Sequence, residues 1–200
     1  MSNAIIGFGK IGQALAMAFA RKGIEVSVAT TRAPESLASV AAAIGPTIIP
    51  QTLADALKAD VVFLAVPFRS HPAIAAALST WQGKTIVDVT NAYGVPPDEL
   101  GGQPSSIAVA QAFAGARLVK GFNHLAAAVL AQDPTVHGGR RVVFLASDDD
   151  EAAEEIAALA QTLGFAPIKL GRLSEGGLLV HGRGNSWGHL IFKDLVRFDK

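Results

Sequence analysis

Three glycines near the start of the chain, Gly7-x-Gly9-x-x-Gly12, follow the apolar run Ala4-Ile5-Ile6 and precede a helical pattern of Ala14, Leu15, Ala18 and Phe19. A second strand pattern, Glu25 to Ala29, comes next. Glycines at this spacing between a strand and a helix suit the cradling of a pyrophosphate. Gly7 permits the tight turn out of the strand, Gly9 lets the main chain approach a phosphate, and Gly12 lets the helix pack on the sheet. The helix starting near Lys10 then directs unpaired N–H groups and its positive dipole end at that phosphate. The alternative is a tight turn whose glycines serve packing alone.

The tip of the second strand selects among dinucleotides. NAD-binding versions of this unit carry Asp or Glu roughly 20 residues past the glycines, to accept from the ribose 2′-hydroxyl. Here the place reads Ala29-Thr30-Thr31-Arg32-Ala33, without an acid. Two hydroxyls and a guanidinium suit a 2′-phosphate, which a carboxylate would repel. NADP(H) is therefore expected over NAD(H).

Three later strand ends carry polar or ring-bearing residues after a buried run: Val66-Pro67-Phe68, Thr90-Asn91 and Phe122-Asn123-His124. Ligands of open α/β sheets lie outside the carboxyl ends of the strands, so a nicotinamide would lie along this line. His71, Asn123 and His124 are the candidates for a catalytic or orienting role, against the alternative that asparagines at such ends only satisfy loop backbone. The five histidines, His71, His124, His137, His181 and His189, show no pair on one helix face, and no zinc site is expected. Ser147-Asp148-Asp149-Asp150-Glu151 reads as an N-cap with acids against a helix dipole rather than a metal cluster. No metal is assigned. No Ser/His/Asp set, Lys–Tyr pair or carboxylate dyad is evident. Reducing a carbonyl or imine would ask for a proton donor, whereas hydride transfer between stacked rings asks little of the protein.

The elements that position these residues alternate between helix and strand. A helix is expected from Pro34 to about Ile44, a short strand over Thr47 to Ile49, and a capped turn from Thr52. Val61 to Val66 is a run of the kind buried on both faces of a parallel sheet. A helix over Pro72 to Leu78 and a strand over Lys84 to Val89 follow. Val95 to Pro104 is a surface loop rich in proline and glycine. Beyond it come a helix over Ile107 to Ala114 and strands over Arg117–Phe122, Arg141–Ala146 and Ala166–Leu170, with a helix from about Asp149 to Leu163. The pattern specifies α/β architecture, a Rossmann-like, doubly wound, mainly parallel sheet. Residues 1–172 would form the nucleotide-binding domain and 173–200 a C-terminal extension of it, with a helical pattern around His189 to Val196.

Charges balance at 17 against 17, which gives no electrostatic case for nucleic acid or an anionic membrane. Half the residues are hydrophobic and 17% are charged, lean enough in charge to suggest that some apolar surface is buried between subunits. The chain has no cysteine, which excludes disulfides and thiolate chemistry. With no apolar run of membrane-spanning length and no signal peptide before the first strand, a cytoplasmic protein is expected.

Gly7-Phe8-Gly9-Lys10-Ile11-Gly12, Thr30-Thr31-Arg32, Val66-Pro67, Asp88-x-Thr90-Asn91, Val119-Lys120-Gly121-Phe122-Asn123 and Leu170-Gly171-x-Leu173 occur in the order seen in F420-dependent NADP oxidoreductases. The chain equally resembles the cytosolic domain of STEAP-type metalloreductases. The resemblance covers Ala4 to about Leu173. It implies a Rossmann-like domain, usually dimeric, that passes hydride between NADP(H) and a small-molecule electron acceptor, the deazaflavin F420 or a flavin such as FMN or FAD. It also implies residue roles. Thr30, Thr31 and Arg32 would hold the 2′-phosphate, and Phe8 to Ile11 would cover the pyrophosphate. Val66, Pro67 and His71 would line the ribose and ring, with Asn91, Gly121, Phe122 and Asn123 near the nicotinamide. Two positions depart from the deazaflavin enzymes, which often carry a second arginine in place of Thr31 and a histidine in place of Asn123. The Val-Lys-Gly-Phe-Asn form leans towards the flavin-using relatives. The competing readings are a non-catalytic NADP(H)-binding redox sensor or partner module, and a reductase of small imines or carbonyls.

Overall fold

The computed structural model describes residues 1–180, and the structural statements below concern those residues. The chain runs β1 (Asn3–Ile6), α1 (Lys10–Arg21), β2 (Val26–Ala29), α2 (Glu35–Ile44), β3 (Ile48–Pro50), α3 (Leu53–Ala56) and β4 (Val61–Leu64). It continues with α4 (His71–Ala75), β5 (Thr85–Asp88), α5 (Ser105–Ala112), β6 (Arg117–Gly121) and α6 (Ala127–Leu130). It then forms β7 (Thr135–Val136), β8 (Gly139–Arg140), β9 (Val142–Ser147), α7 (Asp150–Thr162) and β10 (Ala166–Lys169).

Eight strands form one sheet in the order β10-β9-β6-β5-β4-β1-β2-β3. The six from β3 to β6 are parallel and doubly wound, with strand order reversing between β1 and β4. A crevice at such a reversal is where ligands of open α/β sheets bind. β9 enters antiparallel to β6, and β10 is parallel to β9.

Both faces of the sheet are apolar because successive side chains alternate between them. Ile5, Val61, Phe63, Val87 and Val119 face one core with α1, α2 and α7; Ala4, Ile6, Val62, Leu64, Ile86 and Leu118 face the other with α3, α4 and α5. A chain of edge-on rings crosses the first core: Phe19 to Phe63 at 5.6 Å between centroids, Phe63 to Phe122 at 5.9 Å and Phe122 to Phe165 at 5.8 Å.

Several local expectations change. The helix expected from Pro72 to Leu78 ends at Ala75 and is preceded by a 3₁₀ turn, Phe68–Ser70. The strand expected to include Phe122 stops at Gly121, because Phe122 takes a left-handed backbone with φ +60°. The hairpin of β7 and β8, with His137 at its turn, carries too few residues to show a periodic signal. The acids at Ser147–Glu151 are a cap: Asp149 accepts from the Ala152 N–H at 2.8 Å, and Asp148 accepts from the Leu173 N–H at 3.1 Å. The helical pattern at His189–Val196, His189 itself and His181 lie outside the described residues. No helix among the described residues is long and apolar enough to cross a membrane.

The β1–α1 turn depends on main chain lying directly against main chain. A Cβ on Gly12 would stand 2.0 Å from the Gly7 carbonyl oxygen, and one on Gly7 would stand 2.3 Å from that of Ala65. Neither neighbour is a flexible side chain that could give way. Gly12→Ala should therefore cost about 1–3 kcal/mol or more, as overpacking does. Urea unfolding checks this, and a midpoint equal to wild type would contradict the packing.

Candidate functional site

The carboxyl ends of β1, β2 and β4 meet at the glycine turn. The Gly7 N–H donates to the Ala29 carbonyl at 2.9 Å, which ties the turn to the tip of β2, and the Ala65 N–H donates to the Ile6 carbonyl at 2.8 Å. Val66 Cγ1 lies 3.0 Å from where a Gly7 Cβ would be, so Val66 borders the same turn, with Pro67 exposed beside it. Gln13 closes the turn by donating to the Phe8 carbonyl at 2.9 Å. Gly9, the N-cap of α1, contrasts with its two neighbours: a Cβ there would meet nothing within 4 Å. Lys10 is exposed and Ile11 half-buried at this first turn, whereas the Phe8 ring is buried in the core and only its main chain faces the turn. The open ground at Gly9 fits a group lying close against the main chain at a helix N-terminus.

Thr30, Thr31 and Arg32 stand at the tip of β2, next to this turn. Thr30 accepts from the Arg32 N–H at 3.1 Å, which folds the tip on itself, and Thr31 and Arg32 are exposed. The donor set suits a phosphate monoester, as the sequence suggested.

At the ends of β5 and β6 the structure assembles a buried polar network. Asp88 and Lys120 are register partners on neighbouring parallel strands, and their side chains are 0% and 2% exposed. Lys120 Nζ donates to Asp88 Oδ2 at 2.9 Å and to the Thr90 carbonyl. Asp88 Oδ1 accepts from the Thr90 N–H at 2.9 Å and the Thr90 hydroxyl at 2.7 Å. Every partner thus converges on the residue before Asn91. Asn91 in turn donates to the Asn123 carbonyl at 2.7 Å, and Asn123 Nδ2 donates to Asn91 Oδ1 at 3.0 Å and to the Val180 carbonyl at 2.9 Å. Asn91 and Asn123 are brought together as one amide pair, and Asn123 Oδ1 is buried without a partner.

The other expected residues separate from this pair. Phe122 points its ring into the core, fully buried between Phe63 and Phe165, so only its backbone belongs to the strand end. Gly121 is packed under Leu145, with a Cβ there 2.5 Å from Leu145 Cδ2. His71 is buried; its Nδ1 lies 2.5 Å from the Phe68 carbonyl and its ring packs on Phe68 at 4.7 Å. His124 turns towards the edge strand β9, with Nε2 3.3 Å from the Val142 carbonyl and its ring 5.0 Å from that of Phe144. Burial pushes the His124 pKa down to about 4, only partly opposed by the hydrogen bond to Val142, so the ring is neutral near pH 7. Neither histidine is an exposed proton donor beside Asn91.

The model of a family described as NADP oxidoreductase, coenzyme F420-dependent, matches residues 2–92, which span the glycine turn, the tip of β2 and the Asp88–Asn91 segment. A solved structure of a hypothetical protein of Sinorhizobium meliloti, SMa0349, is 40% identical, with 99% of this chain and 96% of that one covered and a TM-score of 0.89. A protein of Arthrobacter sp. FB24 assigned as a candidate F420-dependent NADP reductase is 26% identical over the whole of both chains, with a TM-score of 0.73. Over residues 2–92 the chain resembles the F420-dependent NADP oxidoreductases. It is also 28% identical over 172 residues to the rat metalloreductase STEAP3, covering 85% of this chain and about a third of that protein's length. These likenesses make it kin to NADP-dependent oxidoreductases and leave the electron acceptor open.

The sequence held a signal for the buried network that spacing arguments passed over. Asp88 follows Ile86-Val87 and Lys120 follows Leu118-Val119, each a charge directly after two apolar strand residues, with opposite signs. Removing one partner of such a pair strands a buried charge. Lys120→Met should therefore cost about 3–5 kcal/mol, and Asp88→Leu combined with Lys120→Met should recover much of it. Denaturant titration of the three proteins checks this, and a double variant no better than the single would show that the pair is not the dominant partner. His124 sets a pH dependence. The unfolded ring takes a proton near 6.5 and the folded one only near 4, so its contribution is complete above 6.5 and is lost as pH falls towards 4. The loss is on the order of 3 kcal/mol. Unfolding midpoints at pH 7 and 4.5 should diverge in wild type and converge in His124→Phe; parallel slopes would refute the assignment.

Proposed function

We propose that this protein is an NADPH-dependent oxidoreductase that moves hydride between NADP(H) and a planar ring acceptor, the deazaflavin F420 or a flavin. In the reducing direction the hydride leaves NADPH and, with one proton from water, converts the ring to its dihydro form, releasing NADP⁺. The observation that carries the nucleotide half is the contrast along the glycine turn. Gly7 and Gly12 are closed against backbone, Gly9 is open, and the acid-free tip of β2 presents Arg32 alongside. The glycine turn and helix N-terminus would take the pyrophosphate, and Thr30, Thr31 and Arg32 the 2′-phosphate. Val66 and Pro67 would border the ribose, and the Asn91–Asn123 pair would meet the carboxamide edge of the nicotinamide.

The acceptor half rests on the chemistry of that pair's surroundings. His71 is buried and His124 half-buried, each with a ring nitrogen against a backbone carbonyl, so neither offers a free acid or base beside Asn91. Ring-to-ring hydride transfer requires orientation and exclusion of water more than protein proton transfer. Reduction of an imine or carbonyl would draw on a positioned donor.

NADPH and NADH binding to wild type, Arg32→Ala and Gly9→Val tests the nucleotide reading. Arg32→Ala should lose about 1.5–3 kcal/mol for NADPH, the worth of a hydrogen bond to a charged group, and almost nothing for NADH. Gly9→Val should weaken both nucleotides while leaving the urea midpoint near wild type. Equal losses with NADH and NADPH in Arg32→Ala would remove the 2′-phosphate assignment. NADPH oxidation followed with F420, FMN, FAD and a ferric chelate in turn tests the acceptor. Turnover with a ring acceptor is the expected result. Tight NADPH binding without turnover would indicate a sensor or partner module instead.

A further inference from the structure

The loop beyond Asn91 holds a feature that neither the fold nor the nucleotide uses. Tyr93, the single tyrosine of the chain, is 72% exposed, while the residues around it are packed: Ala92 is 1% and Val95 3% exposed. The four residues Ala92–Val95 form a turn closed by the Val95 N–H donating to the Ala92 carbonyl at 3.3 Å. Gly94, third in the turn, has φ +72°, which leaves Tyr93 as the side chain at its crest.

This crest is held from three directions. Before it, Thr90 is locked by Asp88 and Lys120, and Asn91 is bonded to Asn123. Beneath it, Ala92 and Val95 sit in the core shared with α4 and α5. Beyond it, Glu99 pairs with Arg69 at 2.9 Å, which returns the loop to the end of β4. An aromatic ring confined to a core would add to stability, but one left in water on a tied turn adds almost nothing. Tyr93 lies two residues from Asn91, so its Cα is within about 7 Å of that of Asn91. That distance suits a ring that stacks on a ligand while the ligand's other edge reaches the amide pair, since stacked aromatic centroids stand about 4.5–7 Å apart.

We propose that Tyr93 is the stacking platform for the electron acceptor, and that the acceptor it selects is a fused planar ring of the flavin type rather than a small aliphatic carbonyl or imine. The inference rests on the nucleotide site proposed above and adds a residue for the second substrate. The ring face makes the contact, and the phenol hydroxyl is dispensable.

The test uses the full chain as wild type, Tyr93→Ala, Tyr93→Phe and Tyr93→Trp. NADPH affinity is read from nicotinamide fluorescence, and acceptor affinity from quenching of FMN and F420 fluorescence in the presence of NADP⁺. The expected result is one NADPH affinity for all four proteins. Acceptor affinity should be weaker by on the order of ten-fold in Tyr93→Ala and retained in Tyr93→Phe and Tyr93→Trp. Loss in Tyr93→Phe equal to that in Tyr93→Ala would overturn the ring contact in favour of the hydroxyl. Acceptor binding in Tyr93→Ala equal to wild type overturns the proposal and leaves the nucleotide reading standing. A fall in NADPH affinity in Tyr93→Ala matching the fall for the acceptor also overturns it, because Tyr93 would then support the loop. A wild-type protein that binds NADPH but quenches neither acceptor overturns both this inference and the ring-acceptor half of the proposed function. Failure to bind NADPH at all would strike the nucleotide reading first.

Discussion

Where β1, β4 and the first turn of α1 cross, no side chain separates the main chains. Gly12 is pressed on the Gly7 carbonyl and Gly7 on that of Ala65, at distances a Cβ cannot enter. Two glycines thus let helix, turn and neighbouring strand share one small volume. The middle glycine is left facing open space at the helix N-terminus. The same crossing places the tip of β2 against the turn through the Gly7–Ala29 hydrogen bond, so the open ground and Arg32 become neighbours. Without that close approach α1 would stand off the sheet, and the two groups suited to phosphates would no longer share a crevice.

A second constraint operates four strands into the sheet. Burying Asp88 and Lys120 together gives up hydration that an apolar pair would not forfeit, so the ion pair is poorly suited to be a stabilising device. Its hydrogen bonds all lead to Thr90, and through Asn91 to Asn123 and the carbonyl of Val180. Next to it, Phe122 holds a left-handed backbone that costs a β-carbon-bearing residue on the order of 1–3 kcal/mol. The ring contacts of Phe122 with Phe63 and Phe165 offset that strain and hold the residue where it ends β6. Geometry at these strand ends is thus bought from the core, and what it delivers is a rigid pair of amides.

Family kinship and geometry bear on different parts of the chemistry. Kinship with NADP-dependent oxidoreductases accords with the glycine turn and the β2 tip, which the matched residues 2–92 contain. The Lys120–Asn123 segment lies beyond that stretch. Across both parts the structure contributes an amide pair, a buried His71, a half-buried His124 and an exposed tyrosine on a tied turn.

Much of this was legible in the residues. The glycine spacing, the missing acid at Thr30–Arg32 and the run Val61-Val62-Phe63-Leu64 are local statements about backbone freedom, charge and two-sided burial, and each survives in the fold. The alternation of helix and strand determined a mainly parallel sheet, because a parallel neighbour can be reached only by a crossover. Other features were decided between elements. Phe8 and Phe122 sit in a ligand motif but hand their rings to the core, and His124 turns to β9 rather than to Asn91, because packing rather than spacing chooses where a side chain points. Asp88 and Lys120 lie thirty-two residues apart and become partners only through the β5–β6 register. Sequence alone determined which stretch forms the glycine turn and which strand tip stands free of acid beside it. Tertiary structure decided which side chains remain free to meet what reacts with it, since burial and cross-strand pairing are properties of neighbours that no single segment contains.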